Sequence, residues 1–251
     1  MINYIKAELY RNFNRAYLWV YTAIIAALVL AVNIIINISH AGNGVNLSLS
    51  NVLEITNSMM IIPVFLVAGM IDTVIAEENK NKTMKNVIAL GIDRSKLILS
   101  KFIAAVILAC IAAVIILAVL YGSGALLLGL GDNFNIIFLD HFKRLAASFP
   151  LWMAAIAVGI FLNIIINNST VCAFVYAIVF LMTPLVTKFF IIFVSDKFKH
   201  VYNILITTQL GKLSARVVAS HDFITSIIIG FIYIIVFLAF SILCFKKKEI
   251  K

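Results

Sequence analysis

The residues with the most evident chemistry are crowded into one short stretch. It reads Glu77-Glu78-Asn79-Lys80-Asn81-Lys82-Thr83-Met84-Lys85-Asn86-Val87-Ile88-Ala89-Leu90-Gly91-Ile92-Asp93-Arg94-Ser95-Lys96. Met84, Val87 and Ile88 stand at i, i+3 and i+4 and share one helical face. Thr83 suits an N-cap and Gly91 a C′ stop, so the spacing predicts a helix of about two turns. A helix that short is unstable alone, and its apolar face needs something to pack on. Docking onto a partner is one reading; a charged loop that only fixes orientation is the other. Asp93 or Ser95 can cap the helix that follows.

Further polar groups interrupt apolar runs. Glu54, Asn57 and Ser58 lie at i, i+3 and i+4, and Asn33 and Asn37 at i and i+4. A carboxylate in mid-bilayer costs roughly 2.5–3.5 kcal/mol, so such groups turn toward protein or water. An outer vestibule or a subunit contact is the functional reading. Snorkelling with interhelical hydrogen bonds is the structural one. Asp72 can pair with Lys80 or Lys101, or reach the interface. Asn163 and Asn167 suit helix-end capping. His40, His141, His200 and His221 match no metal-ligand spacing.

Catalytic signatures are missing. Glu77-Glu78 is followed by Lys82 where an intramembrane metalloprotease motif needs Arg, and no Phe-x-x-x-His, H-E-x-x-H or G-x-S-x-G occurs. No G-x-x-x-x-G-K-[ST] phosphate loop exists, since Gly211-Lys212 has no Gly five residues before it. No catalytic, cofactor or metal residue is assigned. If the chain supports active transport, ATP is bound and hydrolysed on a separate subunit.

The elements that must position these residues are membrane spans. The chain has 251 residues, is 63% hydrophobic and has a mean hydropathy of +1.10. Charged residues make up 12%, about half the globular share of ~25%. A helical span needs ~20 apolar residues. Six are expected, at Ala16–Ile38, Val52–Ala76, Leu97–Leu120, Leu145–Ile166, Val171–Val186 and Phe223–Phe245. Pro184 can kink or end the fifth. Residues 132–144 read as a polar loop, Asn167–Thr170 as a tight turn and 187–222 as a re-entrant or interfacial segment. Ile2, Ile5, Leu9 and Phe13 share a face across residues 1–15, the pattern of an amphipathic interfacial helix. Cys110, Cys172 and Cys244 fall inside apolar runs and imply no disulfide framework.

The net charge of +9 flanks the apolar runs, so it reads as a topology signal and not as a nucleic-acid surface. With both termini in the cytoplasm, the inside holds Lys6, Arg11, Arg15, six basic residues between positions 77 and 101 and four at the C-terminus. The outside holds Lys143, Arg144, Lys188, Lys197, Lys199, Lys212 and Arg216. The larger share inside supports N-in and C-in.

The charged stretch resembles the loop between spans 2 and 3 of ABC transporter permeases of the type-2 exporter family. The matching positions are Glu77 or Glu78, Thr83, Lys85, Val87-Ile88, Gly91, Arg94 and Lys101. The sequence departs from the family pattern at Lys82, where Gly is usual, and at Asp93, where Ser is usual. The layout is similar throughout: an all-α membrane protein forming a single permease domain over 1–251, with six spans and an N-terminal interfacial helix. The resemblance implies a short cytoplasmic coupling helix within 78–96, gripped by an ABC ATPase through Glu78, Thr83, Met84, Lys85, Val87, Ile88 and Arg94. It also implies a second permease, identical or homologous, in a bacterial plasma membrane. Small size and short outer loops resemble lantibiotic and bacteriocin immunity or export permeases. A hydrophobic or amphipathic peptide is then the expected substrate. Drug or lipid export, or a non-transporting scaffold or sensor subunit, are the alternatives.

Overall fold

A computed structural model describes residues 1–43, 47–76, 93–166 and 168–247. The helices are α1 (Ile2–Phe13), α2 (Ala16–Asn43), α3 (Leu49–Ser58), α4 (Ile62–Ile71), α5 (Arg94–Leu128), α6 (Phe134–Ile165), α7 (Ser169–Phe193), α8 (Phe198–Ile204), α9 (Ile206–Leu213) and α10 (Ser220–Lys247). A π-helical turn, Asp72–Ala76, continues α4. Among the described residues there is no strand. By length and composition α2, α5, α6, α7 and α10 can cross a membrane, and the bent pair α3–α4 makes a sixth crossing if it is one span. The fold is an all-α membrane protein, as the hydropathy pattern requires.

Helix α6 is the hub. Ala147, Ala154, Ala155, Ala157 and Gly159 are buried along it, and small residues let helices approach closely in lipid, where packing drives association. Gly230 of α10 sits on Pro150 of α6: a Cβ there would stand 2.7 Å from the Pro150 carbonyl carbon. At Gly159 a Cβ would stand 2.3 Å from Ile71 Cδ1 of α4. Helix α7, by contrast, leaves Phe174, Ile178, Leu181, Leu185 and Phe189 exposed. Such an apolar face suits acyl chains.

Helix α1 and the last turn of α10 lie at one end of the bundle. Near the start of α5, Arg94 reaches the last turn of α10 and Lys101 reaches α1. The α4 π turn lies there too, and this end is called the loop end below. At the far end the start of α3 docks on the α5–α6 turn. Leu49 and Ser50 donate backbone N–H groups to the Gly129 and Leu130 carbonyls at 3.0 and 3.3 Å. Those N–H groups would otherwise be orphans of the first helical turn.

Several sequence expectations need correction. The second span is not one rod over Val52–Ala76; it bends by 73° between α3 and α4. Pro63 stands in the first turn of α4, where its missing N–H costs nothing. Carbonyls around the bend take side-chain donors. Trp152 Nε1 donates to Met60 O at 3.1 Å, Tyr176 Oη to Val64 O at 2.8 Å and Tyr21 Oη to Leu66 O at 2.7 Å. The third span extends to Leu128, with Gly122 and Gly124 inside the helix. The 132–144 loop is mostly helix, because α6 starts at Phe134. The fifth span passes through Pro184 and absorbs Phe189–Phe193. Within 187–222, α9 buries Ile206, Gln209, Leu210 and Leu213 in the bundle. On α1 Leu9 and Phe13 of the expected apolar face pack partly buried against the core, Ile2 is 67% exposed, and the fully buried residues are Glu8 and Asn12.

Candidate functional site

At the loop end, three successive residues of the π turn are each held by a different part of the chain. Ser169 Oγ, at the start of α7, donates to Asp72 Oδ1. Arg15 Nη1, at the α1–α2 corner, donates to Thr73 O at 3.4 Å. Lys101 Nζ, on α5, donates to Val74 O at 2.9 Å. Of the alternatives open to Asp72, Lys101 instead bonds to Val74 O and Glu8, and Lys80 lies outside the described residues. Lys101 is fully buried, and its counter-charge is Glu8 Oε1 of α1 at 3.2 Å. The second Glu8 oxygen accepts from Arg11 Nη2 at 2.5 Å. A buried carboxylate thus lies between two cations, the arrangement that makes burial of charge tolerable.

The start of α5 is capped as its sequence suggests. Asp93 accepts from the Ser95 N–H at 3.1 Å. Arg94 lies at this corner and donates to the Phe245 and Lys246 carbonyls at 3.0 and 2.7 Å. Its guanidinium also stands 5.9 Å from the centre of the Phe245 ring. A cation on the last carbonyls of α10 suits the negative end of the helix dipole. Glu78, Thr83, Met84, Lys85, Val87 and Ile88 lie outside the described residues, as does Lys80.

At the far end the structure separates residues that the spacing had grouped. Asn57 is buried, with its amide oxygen 2.6 Å from His141 Nδ1. Glu54 and Ser58 are exposed. Glu54 lines an open polar cleft with Ser48, Ser50, Asn51, Gly131 and Asp132, whereas Ser58 Oγ donates to Ile55 O at 2.6 Å within its own helix. Asn33 is buried and donates to Ser123 Oγ at 2.7 Å and to Leu120 O at 3.2 Å. Asn37 is half-buried. His141, expected in a loop, is fully buried in α6, and its Nε2 lies 2.9 Å from Tyr121 Oη. Asn163 bonds to Gly159 O in its own helix, and Asn167 lies outside the described residues.

Arg144 does what sequence reasoning missed. It is 5% exposed, and its Nη1 donates to Leu213 O and Ala215 O at 2.7 and 2.6 Å. Its Nε meets Asp140, one turn earlier, at 2.7 Å. This guanidinium caps the C-terminal end of α9 and fixes that short helix inside the bundle. Gly131 secures the same region with φ +80°, and a Cβ there would stand 2.1 Å from Ser48 Oγ. The Glu8–Lys101 pair was also missed. The available signals were a lysine one turn inside an apolar run and the one glutamate of α1, with Arg11 three residues on along the same face.

Among the described residues no group of three or more His, Cys, Asp or Glu residues could hold a metal ion. What the described residues offer is mechanical: the π turn and the capped start of α5 are both held by side chains, at the end of the bundle that also carries α1 and the last turn of α10. The family model described as ABC-2 family transporter protein matches residues 3–250. No curated protein matches the chain. The chain belongs to the ABC-2 transporter family and is a membrane permease subunit of an ABC transporter, a family whose ATPase resides in a partner subunit.

Proposed function

We propose that this permease is the membrane half of an ATP-driven exporter in a bacterial plasma membrane, moving amphipathic peptides of lantibiotic or bacteriocin type out of the membrane or the cell. The observation that supports the reading is that the two flanks described on either side of positions 77–92, the π turn and the Asp93-capped start of α5, are both firmly held. A helix at 78–91 that docks into the ATPase would convey its movement directly to α4 and α5. Lys82 and Lys85 would meet acidic residues of the ATPase groove and set orientation more than affinity. Basic residues concentrate at the loop end, which supports a cytoplasmic position for it. A second permease, identical or homologous, completes the pathway. The peptide substrate rests on the resemblance in size and loop length.

Val87→Asp is the test. It should abolish permease-dependent ATPase activity and weaken co-purification of the ATPase, with membrane insertion intact. Normal coupling in that variant would move the docking site elsewhere. In intact cells an impermeant thiol reagent should reach Asn43→Cys and Lys199→Cys but not Asn81→Cys or Lys248→Cys. Labelling at position 248 would overturn the orientation. ATP-dependent accumulation of a fluorescent lantibiotic in inside-out vesicles tests the substrate class, and accumulation only of a labelled lipid would replace it.

A further inference from the structure

We propose that Glu8 and Lys101 are positioning residues of the transport cycle. Their buried ion pair clamps α1 and α5 onto the π turn Asp72–Ala76, so that displacement of the segment leaving α4 is shared by several spans. The proposal rests on the docking role given above to residues 77–92.

Three observations support it. First, the pair is an expensive way to fill space. A buried ion pair is often no more stable than apolar side chains of the same volume. What this pair does supply is geometry. Glu8 fixes the ammonium of Lys101 at 3.2 Å, and Lys101 in turn holds Val74 O at 2.9 Å. Second, the clamped element is a π turn. Its wider winding shifts carbonyls away from the usual i−4 donors and recurs at functional positions. Here Thr73 O and Val74 O each receive a cationic side chain. Third, the anchors differ in origin. Asp72 is tied to α7, Thr73 to the α1–α2 corner and Val74 to α5. The opposite end of this lever is the 73° bend after α3. Helix α3 is meanwhile fastened to the α5–α6 turn through Leu49 and Ser50. A pull on residue 77 therefore moves α4, α5, α7 and α1 together, with the bend as pivot.

The experiment uses the full permease with its partner ATPase, reconstituted in lipid vesicles. The double variant Glu8→Gln/Lys101→Met removes both charges and leaves neither one buried alone. Its thermal stability and ATPase co-purification should match the parent, while permease-dependent ATPase turnover falls about 5-fold or more, in the range by which coupling residues act. Full turnover in the stable double variant would overturn the proposal. Loss of folding or of co-purification would also overturn it, by showing the pair to be only structural. Arg15→Gln leaves the pair intact and removes the donor to Thr73 O; it should lower turnover by a smaller factor, and unchanged turnover would overturn the sharing of load. Val87→Asp, run alongside, separates the two ideas. If it co-purifies and couples normally, the docking assignment fails whatever the double variant does.

Discussion

Two buried cations hold the two ends of this bundle, and they are satisfied in different ways. At the loop end Lys101 is a compact charge, matched by the buried carboxylate of Glu8 from an element 93 residues away. At the far end Arg144 spreads its charge over the Leu213 and Ala215 carbonyls, and its carboxylate partner Asp140 is 44% exposed. An ammonium concentrates its charge and needs a counter-charge when buried; a guanidinium distributes its donors over a planar fork and suits several carbonyls at once. The loop end is therefore assembled by a long-range charge pair, and the far end by donation into the end of a helix.

Substitutions can break or sharpen that contrast. The largest expected loss is from Lys101→Met alone, which takes from buried Glu8 one of its two cationic partners among the described residues and leaves Arg11. A destabilisation of about 3 kcal/mol is expected, read as a lowered thermal midpoint of the purified permease. The Glu8→Gln/Lys101→Met pair should recover most of it. Arg144→Lys keeps the charge but loses the fork, and should cost about 2 kcal/mol. Hydrogen exchange should then rise within 206–216 while α1 stays protected. If Arg144→Lys proves costlier than Lys101→Met, the contrast between the two ends is misdrawn. The smallest loss is expected from Gly131→Ala, which forces a side chain onto φ +80° and against Ser48, for about 1–2 kcal/mol. Adding Ser48→Gly should relieve the contact but not the backbone strain, so recovery should be partial. Complete recovery would mean that the backbone there is unstrained.

The sequence shows the spans and hides their directions. Hydropathy registers composition, so six apolar runs were legible, as was Asp93 as the cap of α5. The bend inside the second run was not, because an apolar residue contributes the same whether the helix is straight or broken. Pro63 was a local sign, and the donors from Tyr21, Trp152 and Tyr176 stabilise the bend. The start of α6 was hidden for the opposite reason. Asp140, His141 and Arg144 look like loop residues until their partners are known, since each is satisfied by groups distant in sequence or one turn away. The same applies to Glu8, whose partner lies on another helix. Spacing placed Glu54, Asn57 and Ser58 on one face, yet within that face only Asn57 turns into the protein. A helical period gives angles around an axis, not how wide the buried sector is.

The donors at the bend also constrain how the protein is made. Trp152 and Tyr176 follow their acceptors, Met60 and Val64, by 92 and 112 residues. When the second apolar run emerges from the ribosome, neither donor has been synthesised. Carbonyls exposed to hydrocarbon cost several kcal/mol each, so the run enters the bilayer more cheaply as a straight helix. The kinked form becomes the stable one only after α6 and α7 have followed it in. The expected order of biogenesis is insertion first and full bending later, with Tyr21 the donor at hand from the start. A chain truncated after Ile165 would keep Tyr21 and Trp152 but lack Tyr176, and would leave the nascent subunit with its pivot incomplete.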